Sequence, residues 1–403
     1  MYTLQATLAV LSAAALAPAL VSAASLDSVL AGQANVTTFR SILERHSDIY
    51  EGLPQGVTVL APNDNAFRKL GDWNNWDEQR LRATLRYHVL KTKVGMSSVH
   101  KGDPTWKATL LADEAFTTAT GGQRLIVTKQ PDDAVVFTSG FADRGTVVAR
   151  DLAFDGGLVQ VIDSAMRVPE DIDATARRAY TDLTAFVGAL YAAGLMSELA
   201  RLRDVTVFAP RNAAFQRLAG TLEGMDAEAL RRVLRYHIVP GAARPSWDLP
   251  TGAELPSADH GNKVAILRHA NFVFANSAEI VQPDILIRNG VVHLIDNLLN
   301  PDRAAAKPNT AALTTAQPPV FAATVPPSAT GSTVPTPFAT YLPCWDGCPH
   351  TASGGSSWSG SGTERKENAG PDGARPGLAA AAVAAAVVVV APGMALGAML
   401  LWA

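Results

Sequence analysis

The chain has 403 residues, enough for two or three domains with ample buried core. Its 34 basic and 37 acidic residues give a formal charge of −3 and form no basic stripe, which disfavours nucleic acid as a partner. The two cysteines, Cys344 and Cys348, cannot build a disulfide-stapled miniature fold or a four-cysteine zinc site.

Residues 8–21 are apolar and lead into Val21-Ser22-Ala23-Ala24, small residues where a signal peptidase reads, so residues 1–24 are predicted to be a cleaved secretory signal. A signal anchor is the alternative, opposed by Pro18 and by a stretch too short to span comfortably. Asn35-Val36-Thr37 is an N-x-[ST] sequon near the mature N terminus and makes Asn35 a glycosylation candidate. Phe39, Ile42 and Leu43 then recur at helical spacing. Thr58-Val59-Leu60-Ala61 reads as a short buried strand stopped by Pro62; Asn63 is expected to cap a following helix and Phe67 to dock it. Leu81, Leu85 and Val89 mark a further apolar face that ends in Tyr87-His88, and the apolar runs 125–127 and 135–137 predict strands.

The same order returns. Thr206-Val207-Phe208-Ala209-Pro210 repeats the strand 148 residues later, and Leu234-Arg235-Tyr236-His237 repeats the helix end 149 residues later. Val291-Val292-His293-Leu294-Ile295-Asp296 closes the second copy as Leu158-Val159-Gln160-Val161-Ile162-Asp163 closes the first. Arg211 stands in the place of Asn63, so Asn212 is expected to cap in the second copy. Helices first and strands after predict an α+β unit, repeated over residues 25–167 and 168–302, rather than a parallel βαβ sheet.

Residues 304–363 carry only two charges, Lys307 and Asp346, with 17 Ser or Thr interleaved with proline. Such composition buries too little to offset chain entropy, so residues 303–368 are predicted to be an extended, O-glycosylated stalk. Cys344 and Cys348 within it are spaced for a small disulfide loop, with a two-ligand metal site as the alternative. Small residues at 368–370, a polar spacer and the uncharged residues 378–403 follow in the order of a GPI-attachment signal, with Asn368 as attachment residue and 369–403 as propeptide. A terminal transmembrane helix is the alternative; Arg365, Lys366 and Arg375 upstream and Pro392-Gly393 within the tail weigh against it.

The Thr-Val-x-Ala-Pro block, the Leu-Arg-Tyr-His helix end and the closing strand to Ile-Asp, each present twice in order over about residues 25–302, resemble fasciclin-like (FAS1) domains. That resemblance implies two tandem units, each a twisted β-wedge covered by helices, in an extracellular or lumenal setting. It implies an adhesion or matrix-organising role, with surface or matrix proteins or glycans as partners, and Tyr87, His88, Tyr236 and His237 as structural family positions. Pro283-Asp284-Ile285 matches a receptor-recognition form of animal members and is a possible ligand contact; the alternative is an Asp that satisfies backbone donors in a turn. The first copy has Gly156-Gly157-Leu158-Val159-Gln160 where Asn-Gly-Val-Val-His is usual, which puts any function of that corner in doubt there.

No nucleophile elbow, H-E-x-x-H, P-loop or G-x-G-x-x-G pattern occurs, and the eight histidines show no metal-ligand spacing. The expectation is therefore a non-enzymatic, GPI-anchored surface protein without metal or cofactor. A membrane-tethered protein of a lumenal compartment such as a vacuole, acting in membrane trafficking, is the alternative.

Overall fold

A computed structural model describes residues 24–311, 313, 315–324 and 335–343. Most of the secretory signal, the Cys344 and Cys348 loop, Asn368 and the apolar tail lie outside the described residues.

The first unit runs through α1 (Leu26–Ala31), α2 (Thr37–Arg45), β1 (Val57–Pro62), α3 (Asp64–Leu70), α4 (Glu78–Tyr87) and β2 (Val89–Leu90). The strands β3 (Thr105–Ala108), β4 (Arg124–Lys129), β5 (Val135–Thr138), β6 (Arg144–Phe154) and β7 (Gly157–Ile162) complete it. The second unit repeats this with α5 (Ile172–Arg178), α6 (Thr184–Ala192), α7 (Met196–Arg201), β8 (Val205–Pro210), α8 (Asn212–Arg217), α9 (Ala219–Glu223), α10 (Ala227–Tyr236) and β9 (Ile238–Val239). It closes with β10 (Glu254–Pro256), β11 (Lys263–His269), β12 (Phe272–Ala275), β13 (Ala278–Ile287) and β14 (Gly290–Ile295).

Each unit forms one seven-stranded sheet, ordered β2-β1-β7-β6-β5-β4-β3 and β9-β8-β14-β13-β12-β11-β10. All pairings are antiparallel except β1 with β7 and β8 with β14, where the first long strand of a unit lies beside its last. The α+β expectation therefore holds, with one parallel pair per unit closing it. That pair needs glycine: a Cβ on Gly157 would sit 2.0 Å from the Val57 carbonyl oxygen, and one on Gly290 1.9 Å from that of Val205.

Alternation along β1 assigns its side chains to two cores. Val57, Val59 and Ala61 face the helices with Phe39, Ile42, Phe67 and Leu85, whereas Leu60 faces the outer strands with Tyr87, Leu125, Val127 and Phe137. In β8, Val205, Val207 and Ala209 pack with Phe186, Phe215 and Leu234, and Phe208 packs with Tyr236 and Val264. Asn63 caps α3 as expected, its side chain accepting from Ala66 N at 2.9 Å. Asn212 does not cap α8, where Arg211 stands at the cap position and its side chain makes no capping hydrogen bond. Its oxygen instead accepts from Ala185 N at the start of α6 (2.9 Å), as Asp64 accepts from Thr38 N at the start of α2 (2.8 Å). In both units the residue after the cap position ties two helices together.

The extended stalk predicted from residue 303 differs from what the described part does. Residues 304–311, 313, 315–324 and 335–343 fold back on the second unit: Gln317 is 1 % exposed, and Phe321, Phe338 and Leu342 pack on its helical core. Proline and Ser/Thr content alone missed this because a few apolar anchors are joined by polar side-chain and backbone partners. Asn297 Nδ2 donates to Gln317 O (2.6 Å), Gln317 N donates to Asp296 Oδ2 (2.6 Å), and Gln216 donates to Thr336 Oγ1 (2.7 Å). Gly188 in α6 and Gly220 in α9 let the strap approach; a Cβ there would lie 1.9 Å from Phe338 O and 2.4 Å from Thr324 O.

The two units also meet. Gln123 Nε2 donates to Arg288 O (3.2 Å), Thr120 N to Asp204 Oδ1 (3.0 Å) and Arg203 Nε to Thr118 O (3.1 Å). Trp106 and Trp247 stand edge to face across the junction at 6.1 Å.

Candidate functional site

The Tyr-His landmarks are buried fastenings. His88 ends α4 and His237 ends α10; their Nδ1 atoms lie 2.8 Å from the carbonyl oxygens of Thr84 and Val233, so each Nδ1 carries the proton and donates. Their Nε2 atoms accept from Met166 N and Leu299 N, both at 2.9 Å, pinning the segment that leaves each closing strand. Burial pushes both imidazoles down to about 4, only partly opposed by the carbonyl bonds, so both are neutral near pH 7. With both nitrogens engaged and no substrate access, neither is placed for acid-base work. Tyr87 and Tyr236 donate to Arg124 O and Lys263 O, both at 2.9 Å, tying the same helix ends to an outer strand.

A second recurrent corner lies beneath β6 and β13. Thr58 Oγ1 donates to Thr92 O (2.9 Å) and accepts from Val94 N (2.8 Å); Thr206 Oγ1 donates to Ala242 O and accepts from Arg244 N, both at 2.8 Å. This explains the threonine of the strand landmark. Where β6 and β13 bulge, Asp151 and Asp284 adopt left-handed φ of 56° and 64°. Asp284 accepts from Ser246 N (2.7 Å) and Ser246 Oγ (2.6 Å), and Asp151 accepts from Met96 N (3.1 Å). His293 completes the second corner, accepting from Asp284 N at Nδ1 (3.2 Å) and donating from Nε2 to Arg244 O (2.9 Å). Burial lowers its affinity for a proton, and neighbouring Asp284 opposes that shift.

Of the Pro283-Asp284-Ile285 triplet only Pro283 is exposed; Ile285 is 2 % exposed and both Asp284 oxygens hold the loop at Ser246. Asp284 thus does the turn work that the sequence allowed as the alternative, and Ile285 is core. What the bulge does present outward is Val281 beside Pro283, and at the matching place in the first unit Val148, which is 52 % exposed. Sequence reasoning missed both valines, because alternation along a strand puts a valine inside until a bulge shifts the register.

Asn35 is exposed just before α2, and its carbonyl accepts from Asp64 N at 2.7 Å. Among the described residues no group of three His, Cys, Asp or Glu side chains is arranged to hold a metal, and no helix is long and apolar enough to cross a membrane.

A cleft of about 560 Å³, also unseen in the sequence, lies between the units. Residues 167–174 line it, with Trp76, Arg80, Phe116 and Phe141 from the first unit and Tyr191, Met196, Leu199 and Arg288 from the second.

The fasciclin domain family matches residues 34–169 and 181–301. A fasciclin-like arabinogalactan protein of Arthroderma benhamiae is 33 % identical over 263 residues, covering 63 % of this chain and 61 % of the relative. The cell surface glycolipoprotein MPB83 of Mycobacterium bovis is 35 % identical over 101 residues, 24 % of this chain and 44 % of the relative. The chain thus matches less than two thirds of the length of either relative. A solved FAS1 domain pair from the insect cell adhesion molecule fasciclin I covers 67 % of this chain and 98 % of its own at 18 % identity, with a TM-score of 0.33.

Proposed function

The chain belongs to the fasciclin-domain family with two tandem domains, and from that premise we propose that it is a surface-anchored adhesion protein organising cell wall or matrix. The observation that carries this reading is chemical closure inside a doubled module. The histidines that tempt a catalytic assignment, His88 and His237, have both ring nitrogens bonded to buried backbone in both copies. What remains for function is surface.

In this reading the secretory signal delivers the chain to the exterior, a GPI anchor at Asn368 retains it, and Asn35 carries N-linked sugar. Its partners are surface or matrix proteins or glycans. Bulge residues Val281, Pro283 and Val148 offer small apolar contacts, each weak alone. An anchored array converts weak contacts into firm attachment, because after the first bond each further one forms at high effective concentration.

Phosphatidylinositol-specific phospholipase C applied to intact cells tests the anchor. Release into the medium is expected; retention of the protein in an internal membrane fraction overturns surface anchoring. Cell aggregation tests the role: anchored protein should support it, and full rescue of a deletion strain by a secreted, anchorless form would defeat the avidity argument.

A further inference from the structure

We propose that the tip of the strap, residues 335–343, exchanges between neighbouring copies of this chain, each copy's tip filling the other's seat on α5, α6 and α8. This inference rests on the surface-anchored reading and names a second copy as the partner. The seat receives a backbone as well as side chains. Glycine within a helix is disfavoured relative to alanine, yet α6 carries Gly188, where a Cβ would lie 1.9 Å from Phe338 O. Phe338 meets Phe215 edge to face, and Leu342 packs on the same core. Gln216 Nε2 donates to Thr336 Oγ1 and Arg177 Nη2 to Pro343 O, both at 2.7 Å.

The first unit lacks this seat. Thr38 N donates to Asp64 as Ala185 N donates to Asn212, so α2 and α6 match at those residues and Ser41 takes the place of Gly188. Trp73 covers Phe67 there, from within the unit. In the second unit the tip is held more loosely than the root of the strap. At the root, Gln317 is 1 % exposed and bonded to Asp296 and Asn297. At the tip, Thr336, Phe338 and Leu342 are half-buried and Tyr341 is 45 % exposed. Phe338 also holds a φ of 64°, a left-handed conformation that is costly for a bulky residue and weakens the tip's hold.

A departing tip uncovers an apolar seat and carries apolar side chains that fit another like it. A tip from the same chain and one from a neighbour make the same contacts, so exchange of this identical element is a low-cost route to a dimer. Chain length decides which copy answers. Ten residues, 325–334, join the tip to the root and bound its reach at about 35 Å. Residues 344–368 lead from the tip to the predicted attachment residue Asn368 and are the same tether in every copy, which keeps the seats of an anchored array in one layer. Reciprocal exchange closes on itself and therefore makes pairs, not open chains.

The test is sedimentation of the secreted full chain and of two variants, alone and mixed. Gly188→Ala keeps its tip and loses its seat; Phe338→Ala with Leu342→Ala keeps its seat and loses its tip. Mixed, the two should associate one to one at least ten-fold more tightly than either does with itself. Thr336→Val in the tip-bearing partner, a change at a half-buried strap residue that removes one hydrogen bond, should weaken that pairing about three-fold. The unaltered chain should dimerise as its concentration rises, and excess synthetic peptide of residues 335–343 should dissociate the dimer. A monomeric unaltered chain at about 1 mM, the effective concentration of a short tether, overturns the proposal, as does a mixture that pairs no better than its parts. The assay needs no membrane, so its failure leaves the anchor standing, and loss of the anchor in the phospholipase test leaves its result readable.

Discussion

Gln160 in the first unit makes the hydrogen bonds that His293 makes in the second. Gln160 Oε1 accepts from Asp151 N at 2.8 Å and its Nε2 donates to Val94 O at 2.9 Å, where His293 accepts from Asp284 N and donates to Arg244 O. A side-chain amide and a neutral imidazole each offer one acceptor and one donor on opposite sides of a flat group. The apparent departure at the end of the first unit therefore preserves the corner rather than losing it.

Substitution at His293 should accordingly follow hydrogen bonding and not ring chemistry. His293→Gln is expected to cost less than about 1.5 kcal/mol, while His293→Leu, which fills the space but leaves Asp284 N and Arg244 O without partners, should cost about 2–5 kcal/mol. Denaturant titration of both variants measures this. Equal losses would mean that packing against Phe208, 5.6 Å away between ring centroids, matters more than the two bonds.

Acid should loosen both units through His88 and His237. Each folded-state value of about 4 lies below the ordinary 6.5, so between those pH values the unfolded chain binds more protons and stability rises with pH. The contribution is fully present above about pH 6.5 and is lost as pH falls towards 4, on the order of 3 kcal/mol for each histidine. Asp143, Glu279 and Asp296, whose carboxyls burial raises, bind protons earlier in the folded state and work in the opposite sense within the carboxylate range. Melting curves from pH 7.5 to 4.5 should fall steadily, and His88→Gln with His237→Gln should flatten that slope. An unchanged slope in the double variant would refute the assignment.

These fastenings explain how far the sequence was legible. The strand landmarks, helix faces and Tyr-His ends could be read because each repeats and each rests on local periodicity or a stop at proline. Less legible were relations set by partners distant in sequence. Asn212 looks like a cap until the start of α6 is seen beside it. The strap could not be inferred from its own composition, because its docking depends on Asn297, Gly188 and Gly220, far upstream. Nor could the cleft, since Trp76 and Arg288 come together only when the two units dock.

The glycines of the closing pair give a sharper test of the fold than any core residue. Gly157→Ala and Gly290→Ala each drive a methyl group into a carbonyl oxygen that its own strand holds in place, so relief requires parting the parallel strands. Losses of about 3 kcal/mol or more are expected, above the ordinary cost of one extra buried methyl. Each should act on its own unit. Hydrogen exchange in the Gly290 variant should rise first in β8 and β14, with β1 and β7 still protected; uniform loss across both sheets would show that the units unfold only together.

The strap should behave as part of the second unit. Phe338 meets Phe215 edge to face with centroids 6.3 Å apart, and in the first unit Trp73, from the segment after α3, meets the matching Phe67 at 5.2 Å. The first unit thus covers its helical face from within, while the second borrows described residues of the strap, Phe321, Phe338 and Leu342 among them. Ending the chain at residue 302 uncovers that aromatic ring and deprives Asp296 and Asn297 of Gln317. Together these should cost about 3 kcal/mol, lowering the melting temperature of the second unit by roughly 6–12 °C. Gly188→Ala separates docking from helix stability, because alanine favours α6 by about 1 kcal/mol while its Cβ collides with Phe338 O. The expected result is faster proteolysis within residues 304–343 with α2 and α3 still protected. A more stable variant with unchanged cleavage would mean that the strap does not rest on α6.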